Sequence, residues 1–138
     1  MNCTKSLCSL MLVTLLAVAF TGCGSDSKPS APLSAFQPEI VNSPDNFSFQ
    51  ATGTENVTYS RDYTWSNSGT QASINHSSAV DSGTTLITLF DANGTQVYQS
   101  NMLASGTPSS SAGVAGNWTI RVNLSNCYGT LNFSVQML

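Results

Sequence analysis

Two hydrophobic patterns follow one another along the chain. Leu7 to Phe20 form an almost unbroken apolar run, interrupted by Cys8, Ser9 and Thr14. From Phe36 onward, apolar residues recur instead at every second position, which lines them up on one face of a strand. Phe47, Phe49 and Ala51 alternate with Ser48 and Gln50. Val57 and Tyr59, then Tyr63 and Trp65, continue the alternation, with a bulge expected around Arg61-Asp62. Ala72 and Ile74 mark a short strand, and Thr84–Phe90 is β-rich and nearly continuous, as in the interior of a sheet. Asp91-Ala92-Asn93-Gly94 has the residues of a hairpin turn, because Asn-Gly accepts positive φ. Thr95–Gln99 is the return strand, centred on Val97. Residues 100–116 are rich in Ser, Gly and Ala and predict a long mobile loop. Trp118, Ile120 and Val122 then share one face, a turn is expected at Ser125–Gly129, and Leu131, Phe133 and Val135 share a face of the last strand.

The pattern predicts about seven strands and no helix: an all-β, antiparallel β-sandwich, jelly-roll-like or Ig-like. Its core should hold Trp118, Ile120, Val122, Leu131, Phe133 and Val135 across a closing hairpin, opposite Leu86, Thr88 and Phe90 or their alternates. Residues 24–35 have no apolar period and are dominated by Ser, Gly and Pro, the composition of a linker. Twelve such residues span roughly 20 Å as a coil and about 40 Å when stretched.

The apolar run near the N-terminus is too short for a bilayer, which takes roughly 20 residues, and follows a segment carrying Lys5. It reads as the apolar part of a signal peptide. It ends in Phe20-Thr21-Gly22-Cys23, which resembles the bacterial lipobox: an apolar residue, two small residues, then cysteine, with Phe20 where Leu is usual. The resemblance implies a precursor with signal peptide 1–22, cleaved so that Cys23 becomes a diacylglycerol-modified first residue. Composition and the period of two then divide the rest into a lipid-anchored Ser/Pro-rich linker over 23–45 and a β-domain over 46–138. Several acyl chains anchor stably where one does not. Gly rather than Asp at position 24 implies, by analogy with enterobacterial sorting, the outer membrane.

Composition narrows the function classes. Charged residues make up 8% of the chain, against about 25% in ordinary domains. Ser, Thr and Asn supply 49 of 138 residues instead, so the polar surface is hydroxyl and amide rather than ionic. After processing, Lys28, Arg61 and Arg121 face seven acids, net −4. Three scattered cations make no basic footprint for nucleic acid and none for electrostatic docking to anionic lipid. Of the cysteines, Cys3 and Cys8 leave with the signal and Cys23 carries lipid. That leaves Cys127 as a lone thiol, expected as a buried small hydrophobe even though its place in a turn pulls toward the surface.

Candidate chemistry is sparse. His76 is the one histidine, Asn75-His76-Ser77-Ser78 reads as a polar loop, and no Ser lies in a Gly-x-Ser-x-Gly elbow. One thiol and one imidazole are too few for zinc. Asp91-Ala92-Asn93-Gly94 could open a calcium loop, but no acid follows to complete it; no cofactor is expected. Tyr59, Tyr63 and Trp65 share a parity, so they are either core residues or an exposed aromatic platform for stacking on sugar rings.

Leu86-Ile87-Thr88-Leu89-Phe90-Asp91-Ala92-Asn93-Gly94 with Val97-Tyr98, and Gly116-Asn117-Trp118-Thr119-Ile120-Arg121-Val122 with Gly129-Thr130-Leu131-Asn132-Phe133, resemble bacterial pre-peptidase C-terminal domains. The resemblance spans roughly residues 46–137 and implies a jelly-roll-like accessory module without catalysis. It transfers no site, and the acid-rich segment that often binds calcium in those domains is missing here. The expectation is therefore an envelope lipoprotein, not an enzyme, held to the membrane through Cys23 and binding or organising another envelope component, a protein or a glycan. The alternatives are a glycan-binding module built on Tyr59, Tyr63 and Trp65, and a small hydrolase using His76 or unpaired carboxylates.

Overall fold

A computed structural model describes residues 28–138, and within them the protein is all-β and antiparallel. The expected signal peptide and the expected lipid site at Cys23 lie outside the described residues. A 3₁₀ turn, Leu33–Phe36, precedes six strands: β1 (Glu39–Ser43), β2 (Asn46–Asn67), β3 (Ala72–His76), β4 (Ala79–Phe90), β5 (Gln96–Asn101) and β6 (Gly116–Met137). They form one sheet in the order β1-β2-β6-β4-β5, with β3 paired to β6 ahead of β4.

Two strands of 22 residues dominate the architecture, about four times the usual strand length. β2 lies along one edge of β6, from Asn46 opposite Gln136 to Asn67 opposite Gly116. β3 and β4 lie end to end along the other edge, from Ala72 opposite Met137 to Phe90 opposite Thr119. These long strands are bent. Phe47 and Tyr63 are 16 positions apart on β2, roughly 50 Å in a straight strand, yet their ring centroids are 5.3 Å apart. Phe49 meets Tyr63 in the same way, at 6.4 Å. The sheet thus folds back on itself and encloses the apolar residues between its two halves.

Backbone chemistry locates the bend. Between Ala51 and Tyr59 the β2–β6 register shifts three times, and between Val80 and Thr84 the β4–β6 register shifts twice. Positive φ clusters in these segments, at Gly53 and Asn56 of β2, Gly83 of β4, and Asn126 and Gly129 of β6. Gly129 (φ 122) and Gly83 (φ 92) sit where strands cross closely. A Cβ on the first would run into the Ala79 carbonyl oxygen, and on the second into the Asn126 carbonyl oxygen. Only glycine satisfies both the torsion and the space.

The period-two reading identified the buried face. Trp118, Ile120, Val122, Leu131, Phe133 and Val135 are all buried, as are Phe47, Phe49 and Ala51. On β4 the alternates Ile87 and Leu89 face the core, while Leu86 and Phe90 are half-buried. The rings interlock: Phe49 stacks on Phe133 at 5.3 Å, and Trp65 meets its cross-strand partner Trp118 edge to face at 5.9 Å.

Several expectations need correction. The turn at Ser125–Gly129 is instead the bend of β6, so the supposed closing hairpin is one strand and the named strands number six. The β2 irregularity lies at 51–59, and from Tyr59 to Asn67 the register is unbroken. Residues 102–113 are a tied-down segment rather than a loose loop. Gly106 and His76 exchange backbone hydrogen bonds at 2.9 and 3.0 Å, Ser110 N–H donates to the Ala72 carbonyl, and Ser111 N–H donates to the Val97 carbonyl. Met102 and Ser110 are buried. Residues 28–45, expected as linker, also belong to the folded unit. Asn56 Nδ2 donates to the carbonyls of Lys28 (2.7 Å) and Pro29 (3.2 Å), Ala31 N–H donates to Asn56 O (3.0 Å), Leu33 is buried, and β1 pairs with β2.

Candidate functional site

The aromatic platform does not form. Trp65 is fully buried, and Tyr63 is 9% exposed and packs against Phe47. Their shared parity points them into the folded sheet because it is the parity of Phe47 and Phe49. Tyr59, half-buried, bonds its hydroxyl to that of Tyr63 at 2.7 Å. Burial, followed by this contact with Tyr59, pushes the Tyr63 phenol well above its usual range.

His76 lies at the end of β3, buried, rather than in a loop. Its Nδ1 is 2.8 Å from the Ala104 carbonyl, which can only accept, so Nδ1 carries a proton. Its Nε2 is 2.9 Å from the Tyr98 hydroxyl. Both ring nitrogens are therefore engaged in joining β3, β5 and the segment after β5. Asp91 is similarly committed: Oδ1 accepts from the N–H groups of Thr95 (2.8 Å) and Asn93 (3.0 Å), and Oδ2 from that of Val114 (3.0 Å). The Thr95 contact foremost, with those of Val114 and Asn93, holds its carboxyl below the usual carboxylate value against the opposing effect of burial. Its oxygens cap a turn. Among the described residues, no group of three or more His, Cys, Asp or Glu is placed to hold a metal ion.

The surface most developed for contact is the outer face of the second sheet half, built from β2, β6, β4 and β5. Residues opposite to the core parity align across these strands in three rows. Ser60, Asn123, Leu86 and Asn101 form one row, and Asp62, Arg121 and Gln99 the next, with the buried Thr88 between Arg121 and Gln99. Thr64, Thr119, Phe90 and Gln96 form the third. Side chains bond along the rows: Ser60 Oγ donates to Asn123 Oδ1 at 2.6 Å, and Gln99 Nε2 to Thr88 Oγ1 at 3.1 Å.

The middle row holds the one bidentate ion pair among the described residues. Arg121 Nε and Nη2 each donate to a different Asp62 oxygen at 2.7 Å, the planar fork that fits a carboxylate. The Arg121 hydrogen bond lowers the Asp62 carboxyl pKa, and Asp62 in turn raises that of the guanidinium. The guanidinium also lies 5.1 Å above the Phe90 ring centroid, within cation–π range. A cleft of about 300 Å³ opens at Asp62, Phe90, Gly94, Thr119 and Arg121. A second, of about 260 Å³, opens toward the bend beside Ser60, Leu86 and Asn123.

Sequence reading missed this face. Its residues occupy the polar positions of the alternation, and only strand register reveals that Asp62, Arg121 and Phe90 are neighbours. No protein-family model matches the chain, and no curated protein matches it.

Proposed function

We propose that the protein is a lipid-anchored, non-catalytic envelope module that binds another envelope protein through the outer face of β2, β6, β4 and β5. The observation that carries this reading is the run of three aligned rows of amide, hydroxyl and one ion-paired couple. Arg121 is held flat there between Asp62 and Phe90. Such a face offers directional hydrogen bonds with little side-chain freedom left to lose, which favours a specific contact. Anchoring is supported by the apolar run ending in Phe20-Thr21-Gly22-Cys23. A glycan-stacking surface is less well supported, because Trp65 and Tyr63 are buried and Arg121 covers Phe90. A hydrolase is less well supported because His76 has both nitrogens engaged in structural contacts.

The test is photo-crosslinking in intact cells from probes at Thr64 and Gln96, with Ser73 on the other sheet half as control. Protein adducts specific to the first two positions, lost in Arg121→Ala, are the expected outcome. Equal adducts from all three positions would overturn it. Arg121→Ala itself should change stability by less than about 1 kcal/mol, the scale of exposed ion pairs, so lost adducts cannot be ascribed to unfolding.

A further inference from the structure

The docked N-terminal segment shortens the tether between lipid and domain. Asn56, itself at φ 52 within the bend, grips the carbonyls of Lys28 and Pro29. Ser30 Oγ donates to Asn56 O at 3.2 Å and accepts from Thr58 N–H at 3.0 Å. Ala31 forms a parallel bridge with Val57, and the buried Leu33 closes the contact. From Cys23 to Lys28 there are five Cα–Cα steps, which span no more than about 18 Å. The twelve-residue linker expected from composition would have allowed about 40 Å.

We infer that the bend end of the domain faces the phospholipid headgroups of the leaflet holding the Cys23 acyl chains, with the Asp91–Gly94 turn pointing away. This rests on the proposed lipidation of Cys23. The bend end offers Thr52, Thr58, Ser82 and Ser125 as exposed hydroxyls, and its cation Lys28 is paired with Glu55 at 3.5 Å. These groups hydrogen-bond to headgroups without needing net charge. β6 runs from the bend at Asn126 to Thr119 opposite Phe90, so the turn beyond Phe90 stands roughly 25 Å further from the membrane. The three rows thus climb from the headgroup level outward, and the cleft at Asp62, Arg121 and Phe90 lies at the distal end.

The test uses the full chain, purified from bacterial membranes and reconstituted in phosphatidylcholine vesicles containing headgroup-nitroxide lipid. A fluorophore is placed through Glu55→Cys in one variant and Asn93→Cys in another, both exposed positions. Mass spectrometry of the N-terminal peptide reports on Cys23. Acylated protein should show at least threefold stronger quenching at 55 than at 93. Inserting twelve Gly/Ser residues between Gly24 and Ser25 should bring the two close to equality. Acylated Cys23 with equal quenching at native tether length overturns the orientation alone. An unmodified Cys23 overturns the anchoring reading and the orientation with it.

Discussion

Trp118 combines full burial, an edge-to-face contact with Trp65, and an indole N–H donating to the Val114 carbonyl at 2.7 Å. Trp118→Ala removes all three and should destabilise the domain by about 3–5 kcal/mol. Thermal melting should show a drop of at least roughly 12 °C; an unchanged midpoint would refute the packing. Cys127 lies buried on β6, with its Sγ 3.8 Å from Thr54 Oγ1. Burial pushes the thiol pKa up, outweighing the opposing contact with Thr54, so thiolate is scarcer than in a free cysteine. Maleimide should label it slowly in the native protein and fully in urea, read by mass; rapid native labelling would overturn its placement. Asp91 sets a pH dependence. Its folded pKa lies below the unfolded value near 4, so its contribution is full above about pH 4 and is lost as pH falls through the folded value. Urea midpoints should fall more steeply with acid for the native chain than for Asp91→Asn. At this scale the sequence was informative about core parity, because burial follows alternation. It was silent about His76, whose hydrogen bonds depend on Tyr98 and Ala104 being brought beside it from 22 and 28 positions away.

Among the elements, the bend separates what could be read from what could not. Gly and Asn between two alternating runs are the residues of a hairpin turn, and they are equally the residues of a strand that bends sharply at positive φ. Ser125–Gly129 is the second case, and only pairing with β2 and β4 on either side distinguishes them. Residues 100–116 lack an apolar period and so predict a loose loop, but the order of 102–113 comes from backbone hydrogen bonds to β3 and β5, which need no pattern. The bend gives a direct comparison between glycines. Gly129→Ala meets both a forbidden torsion and the Ala79 carbonyl, whereas Gly53 (φ 61) has open space around its Cβ position. Gly129→Ala should therefore cost at least roughly 3 kcal/mol, and Gly53→Ala about 1 kcal/mol. Equal losses in melting experiments would show that the strands do not cross at Gly129.

Across the whole molecule, β6 is the strand that β2, β3 and β4 share, and it follows the other described strands in sequence. Without it, the only pairings between strands among the described residues are β1 with β2 and β4 with β5, two-stranded ribbons that are marginal in water. Nothing built earlier can close the core. The stable fold therefore assembles through contacts distant in sequence, once Gly116–Met137 has paired, which is slow. Gly116–Met137 thus acts as a latch: until it engages, the long unpaired edges of β2 and β4 are open to other chains, and aggregation competes with folding.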